Sequence, residues 1–128
     1  MITGLKKTLR ALLPKDVASA VVVAGSIDGN ETSAPVVAAS HNPRGVTCTR
    51  TSEGLYVLTL PGAGAITLVS CVIQLRSPDR DLIAVTVRNE SARTVTIRVY
   101  DTDESSGSHV VEDLETDEGF DYIAVLKG

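Results

Sequence analysis

The sequence predicts an all-β protein, a jelly-roll-like antiparallel β-sandwich of about eight strands with a short N-terminal arm. Two observations carry this prediction. Apolar and polar residues alternate with a period of two in several segments, and turns rich in glycine, proline and asparagine separate those segments. After residue 16 no helical segment lies between the predicted strands, which argues against an α/β arrangement.

Residues 45–60 form the clearest hairpin. Cys48 lies in a segment where every second residue is threonine, and Tyr56 and Leu58 alternate with their neighbours after the turn. Gly54 in that turn supplies the positive φ angle that a short hairpin loop needs. The segment therefore predicts two strands with one buried face each.

The remaining strands are predicted from Val, Ile and Leu content and from the turns that bound them, at residues 17–26, 35–40, 65–75, 82–88, 94–100 and 119–126. The segments 82–88 and 94–100 form a second hairpin. Residues 101–118 are predicted to be an acidic loop, anchored by three apolar residues, Val110, Val111 and Leu114.

Composition indicates a single domain of 128 residues whose core is aliphatic, since 43% of the residues are hydrophobic and only 3% are aromatic. The net charge of −4 argues against a broad nucleic-acid surface.

No stretch approaches the roughly 20 apolar residues of a membrane span. Residues 1–13 lack the apolar core of a signal peptide, so we expect synthesis in a cytoplasm. Cys48 and Cys71 are then expected to be buried reduced thiols, with a disulfide across the core as the alternative.

The sequence divides into an arm, residues 1–16, and a sandwich domain, residues 17–128. Pro14 ends any helix in the arm. We interpret the arm as a docking segment that orders on a partner; a frayed terminus and a membrane-surface helix are the alternatives. Its predicted contact residues combine a leucine face with basic groups: Leu5, Lys6, Lys7, Leu9, Arg10, Leu12 and Leu13.

The acidic loop is the second candidate site, and its predicted partner-contact residues are Asp101, Asp103, Glu104, Glu112, Asp113 and Glu115. Carboxylates suit calcium, but the spacing does not match the twelve-residue calcium loop, so no metal is assigned. Three interpretations stay open: a solvated loop, a weak calcium site, and a surface for a basic partner such as the arm of a neighbouring copy.

No pattern indicates an enzyme or a cofactor. His41 and His109 have no nucleophile elbow near them, and the Cys and His residues lack zinc-ligand spacing. Gly62-x-Gly64 precedes a strand and is not a phosphate cradle. A sugar site would need exposed rings, yet Tyr56 and Tyr122 fall on core positions of their strands.

A series of short motifs follows one another along the chain: Ala24-Gly-Ser-Ile-Asp-Gly, Gly45-Val-Thr-Cys-Thr-Arg-Thr, Gly54-Leu-Tyr-Val-Leu-Thr-Leu-Pro, Val85-Thr-Val-Arg-Asn, Thr94-Val-Thr-Ile-Arg-Val-Tyr-Asp and Gly119-Phe-Asp-Tyr-Ile-Ala-Val. This order, over residues 20–126, resembles small bacteriophage structural proteins with a tumour-necrosis-factor-like or complement-head-like jelly roll. The resemblance implies a compact, usually trimeric domain that serves as a head decoration (cement) protein or as the tip of a virion fibre.

We therefore expect a non-enzymatic virion protein that decorates the capsid exterior after synthesis in the host cytoplasm. Its expected partners are the major capsid protein and copies of itself as a homotrimer, without nucleic acid or membrane. The chain also has more Val, Ile and Leu runs than one core needs, which favours self-association. The alternatives are a fibre or tail-tip module that binds a host receptor or carbohydrate, and a free ligand-binding jelly roll.

Overall fold

The structure, a computed structural model, describes residues 20–78, 82–102 and 106–128. These residues contain no helix and form eight strands: β1 (Ala20–Asp28), β2 (Thr47–Ser52), β3 (Leu55–Thr59), β4 (Thr67–Arg76), β5 (Ile83–Asn89), β6 (Thr94–Thr102), β7 (His109–Val111) and β8 (Gly119–Lys127). One sheet has three strands in the order β1-β8-β4, and the other has the order β2-β3-β6-β5 with β7 paired to β6. All pairs are antiparallel, so the predicted all-β sandwich is confirmed.

The chain passes between the two sheets several times, because β1, β4 and β8 lie in one sheet and the other five strands lie in the other. Strands β1 and β8 lie far apart in sequence but pair over nine residues, from Ala20 opposite Lys127 to Asp28 opposite Gly119. Strand β4 pairs with the other edge of β8, with a bulge between Leu68 and Ser70. Strand β8 is therefore the centre of its sheet.

Both predicted hairpins are present. Gly54 has a φ angle of 65° in the β2–β3 turn, and β5 pairs with β6 from Ile83 opposite Tyr100 to Asn89 opposite Thr94. Alternate residues of β3, β6 and β8 point inward and join one core between the sheets. Its largest fully buried side chains are Ile27, Tyr56, Leu58, Leu60, Leu68, Val95, Ile97, Val99, Leu114, Phe120 and Tyr122.

The prediction of a strand at residues 35–40 is wrong. Its only ladder contact is an isolated bridge between Asp28 and Val36. The segment instead turns, because Asn42 reaches back and donates its side-chain amide to the carbonyl oxygens of Ser26 and Ala38, at 2.8 and 2.9 Å. These bonds satisfy backbone groups that a strand partner would otherwise satisfy.

The prediction that residues 101–118 are entirely loop is also wrong, because they contain β7. Strand β6 extends past the end of β3, as far as Thr102, and its last residues offer backbone groups on the side that β3 no longer covers. Strand β7 pairs with them, from Tyr100 opposite Val111 to Thr102 opposite His109. Leu114 anchors the following loop in the core, as predicted.

Candidate functional site

The acidic loop is tied to the sandwich through Asp113. Its carboxylate accepts two hydrogen bonds from the Arg50 guanidinium, both at 2.8 Å, and a third from the Gly54 backbone amide at 2.8 Å. The two side chains of the ion pair are only 14% and 21% exposed. The hydrogen bonds from Arg50 hold the pKa of Asp113 below its ordinary value. Asp113 therefore fixes the β2–β3 turn and is not free to bind a partner.

The tyrosines predicted on core positions are buried. The Tyr56 hydroxyl accepts a hydrogen bond from the backbone amide of Leu114 at 2.8 Å, and the Tyr122 hydroxyl donates one to Asn42 at 2.8 Å. Burial raises the pKa of both phenols to about 12. These rings support loops from the core side and offer no platform for a sugar.

An acidic groove of about 210 Å³ remains at this end of the sandwich, lined by Glu31, Thr32, Glu53, Glu112, Asp113 and Glu115. Desolvation raises the pKa of Glu112 to about 7, and the hydrogen bond to Asp101 and the charge of neighbouring acids add to the effect. Glu112 therefore holds its proton more tightly than a fully solvated glutamate does.

The predicted contact residues of the acidic loop have different roles. The structure brings Asp101 to Glu112, and it places Glu112, Asp113 and Glu115 around the acidic groove. Asp103 and Glu104 lie outside the described residues. Within the described ranges, no group of three or more His, Cys, Asp or Glu side chains could hold a metal ion.

All seven predicted contact residues of the arm also lie outside the described residues, which begin at Ala20: Leu5, Lys6, Lys7, Leu9, Arg10, Leu12 and Leu13. The docking role of the arm and its boundary at residue 16 therefore stay predictions.

The histidines lie on different elements. His41 is in the turn before β2, beside the Ser40 hydroxyl at 3.3 Å from Nδ1. His109 is in β7, where its ring meets Tyr100 edge-on with the centroids 6.5 Å apart.

Both thiols are free, as predicted. Cys48 is buried and Cys71 is half-buried, so the prediction that both are buried holds fully only for Cys48. Desolvation raises the pKa of Cys48 to about 12 and that of Cys71 to about 11. Neither is an activated nucleophile, because the thiolate is the reactive form.

The outer side of the β1-β8-β4 sheet, which we call the three-stranded face, carries an exposed apolar area. Val22, Val72 and Ile123 are 50%, 63% and 57% exposed. The strand register pairs Ile123 of the central strand with Ala24 on one side and with Val72 on the other, and it pairs Val22 with Val125, the next outward-facing residue of the same strand. We call this area the apolar half of the face, and its members are Val22, Ala24, Val72, Ile123 and Val125.

The other half of the three-stranded face is polar and is bridged by Arg76. The guanidinium reaches from β4 across β8 to β1, donating to Asp121 at 2.9 Å and to Asp28 at 2.8 Å. It also donates to the Ser26 hydroxyl and to the carbonyl oxygen of Ile27, at 3.0 and 2.9 Å. The charges of this half are therefore largely paired with one another.

A second apolar surface, the β5 stripe, lies on the outer side of the other sheet and consists of Ile83, Val85 and Val87. Their exposed fractions are 40%, 53% and 66%. Val85 is directly opposite Arg98 of β6, whose side chain is exposed. The stripe therefore has a positive charge beside it.

The excess of apolar runs in the sequence does not by itself locate these two surfaces. A signal was present, because residues 21–23 are consecutive valines, and residues 119–126 place Ile123 and Val125 between the inward-facing core residues. A strand that is apolar on both faces is typical of one covered on both sides.

Comparison with known proteins assigns no relationship: no family model, no curated protein and no solved structure matches this chain. Among the described residues no helix is long and apolar enough to cross a membrane.

Proposed function

We propose that this chain is a non-enzymatic structural protein of a virion, which binds the exterior of the assembled capsid and stabilises it. The observation that carries the proposal is the pair of apolar surfaces on the outer sides of the two sheets, the apolar half of the three-stranded face and the β5 stripe. Exposed apolar areas of this kind mark contact sites. A small body with contact areas on opposite sides is suited to bridging larger partners.

The β5 stripe is the better candidate for contact with the capsid lattice. Two copies of the stripe placed against each other would bring Arg98 of one close to Arg98 of the other, which is unfavourable. A foreign surface with apolar and acidic groups would bury the valines and pair the arginine. The partner proposed on this basis is the major capsid protein, with the arm, residues 1–16, as a second predicted contact.

Capsid stabilisation follows from mass action, because a protein that binds the assembled lattice better than free subunits favours assembly. Full burial of a Val or Ile side chain contributes about 1.5–3 kcal/mol. Since the stripe residues are about half exposed, each would add roughly 1 kcal/mol on binding. A single contact of this size is weak, but the binding free energies of many copies on one particle add together. Three copies form the expected assembly, as the resemblance to phage jelly rolls implies.

The test is an add-back assay in which undecorated particles are mixed with protein and pelleted. We expect the full chain to co-sediment, and both Val87→Lys and deletion of residues 1–15 to weaken co-sedimentation roughly tenfold or more. Val110→Lys is the matched control, because Val110 is an exposed valine outside the stripe (53%) and receives the same charge. Failure of the full chain to bind any particle of its virus would refute the proposed function. If Val110→Lys weakens co-sedimentation as much as Val87→Lys does, the β5 stripe is not the surface that contacts the capsid.

A further inference from the structure

An apolar groove opens at the end of the sandwich where β1 begins, and we call it the β1 groove. It is lined by Val21 and Val23 of β1, Leu126 of β8, and Pro61 and Ile66 of the segment that joins β3 to β4. Its volume is about 350 Å³. That is room for roughly ten water molecules at about 30 Å³ each, so it can hold several side chains.

The β1 groove exposes side chains that belong to the inner side of the sheet. Val21 is paired with Leu126 and Val23 with Ala124, and directly paired residues of antiparallel strands point to the same side. Leu126 and Ala124 lie in the core, so Val21 also points inward, yet it is 44% exposed. Within the described part of the chain, this wall of the core therefore lacks a full cover.

The segment that precedes the described residues is attached directly beside the β1 groove. Residues 1–19 come before Ala20, and the lining of the groove begins with the next residue, Val21. The seven peptide steps from Leu13 to Ala20 span at most about 25 Å. Pro14, a residue type that favours turns, lies between them. The sequence therefore allows the leucines of the arm to return to the groove.

The side-chain chemistry of the β1 groove fits the leucine face of the arm. None of the lining side chains is charged. Of the basic residues nearby, Lys127 alternates with inward-facing Leu126 and so lies on the outer side of β8. Arg93 lies against Gly62 and donates from Nη1 to the carbonyl oxygen of Ile66 at 3.0 Å. An occupant must therefore present an uncharged apolar face and keep its own positive charges in water, as the leucine face and the basic residues beside it would do.

We infer that the leucine face of the arm, residues 1–16, occupies the β1 groove of its own chain and covers the open inner side of β1. Covalent attachment makes a weak contact sufficient, because a short linker gives an effective concentration in the mM range. A separate molecule at µM concentration has no such advantage. The inference does not depend on the proposed virion role, because arm and groove belong to one molecule.

The experiment compares amide NMR spectra of the isotope-labelled full chain with those of Leu9→Lys/Leu12→Lys, which places charge on the leucine face. We expect the amide signals of Val21 and Ile66 to shift between the two proteins, while those of the β5 stripe keep their positions. Fluorescence of a dye that binds exposed apolar surface should rise roughly twofold or more in the variant. The amide signals of the sandwich outside the groove report whether the variant is folded.

Thr3→Lys/Ala11→Lys is the matched control, because it adds the same two charges on the side of the arm away from the leucines. It should leave the groove signals and the dye fluorescence as they are in the unmodified chain. Val21→Lys charges the groove instead of the arm. It should move the amide signals of the arm to the positions they have in a synthetic peptide of residues 1–16.

Groove signals that do not respond to Leu9→Lys/Leu12→Lys would overturn the inference, and so would a response confined to the outer face around Ile123. Spectra at about 20 µM and about 1 mM distinguish the chain's own arm from that of a second copy. The own arm gives the same spectra at both concentrations, and groove signals that change with concentration would overturn the assignment. No particle is present, so failure here leaves the proposed function standing, and failure to co-sediment leaves this inference standing.

Discussion

Replacing Asp113 by alanine should destabilise the fold more than replacing any exposed acid of the same loop. The variant loses both hydrogen bonds from Arg50 and the one from Gly54, and it leaves a guanidinium only 21% exposed without its partner. Removing one partner of a fully buried ion pair costs about 3–5 kcal/mol. Since some water reaches this pair, we expect a loss of about 2–3 kcal/mol in the free energy of unfolding.

The measurement is urea unfolding at pH 7 followed by far-UV circular dichroism, because the chain has no tryptophan. In a domain of this size the loss corresponds to a fall of about 10 °C in melting temperature. Asp117→Ala, which replaces an exposed acid of the same loop, is the control.

The pKa of Asp113 is lowered by folding. The stabilisation from its ionised carboxylate is therefore present above the ordinary Asp pKa and is lost as the pH falls through the lower folded value. The difference between Asp113→Ala and the unmodified chain should therefore shrink below about pH 4. A loss below about 1 kcal/mol at pH 7, or one equal to that of Asp117→Ala, would refute the anchoring role.

Two further predictions concern titrating groups. Folding raises the pKa of Glu112 from the ordinary value of 4.5 to about 7. The native state therefore holds this proton more tightly than the unfolded chain does. The free energy of unfolding should then fall as the pH rises from about 4.5 to about 7. Glu112→Gln should flatten that part of a plot of melting temperature against pH, and an unchanged slope would contradict the assignment. The native thiols should resist alkylation at pH 8, with half-buried Cys71 reacting before buried Cys48 and both reacting at once in urea. Mass spectrometry of timed samples measures this order, and rapid labelling of native Cys48 would show that the β2–β3 core opens.

Local pattern was sufficient for the elements that depend on near neighbours. The hairpin at residues 45–60 was predictable because alternation and the turn glycine lie within one short segment. Strand β7 was not, because its three residues form a strand only when the exposed end of β6 is beside them. At residues 35–40 the apolar composition suggested a strand, but hydrogen bonds from Asn42 decide the conformation.

At the candidate site, too, the sequence indicates the composition of a segment but not which distant residues it contacts. Acidic composition pointed to the loop containing Asp113, but the partner of Asp113 is Arg50, 63 positions away in sequence. No local pattern identifies such a pair. The excess of apolar residues was visible in the sequence, whereas their arrangement into two outer surfaces required the register of β8 with both of its neighbours.

A glycine at the start of the central strand explains why the outer face of the three-stranded sheet is divided in two. Gly119 lies between Asp28 of β1 and Arg76 of β4. A Cβ atom there would meet the carbonyl oxygen of Ile27 and the Arg76 guanidinium. Because glycine has no side chain, Arg76 can lie flat across β8 and reach acceptors on β1. The acids at this end of the sheet are thereby paired within one copy. The ionic groups at the Arg76 end of the face need no partner from outside, and the apolar half is the part of the face on which contact with a second molecule would remove most hydrophobic surface from water.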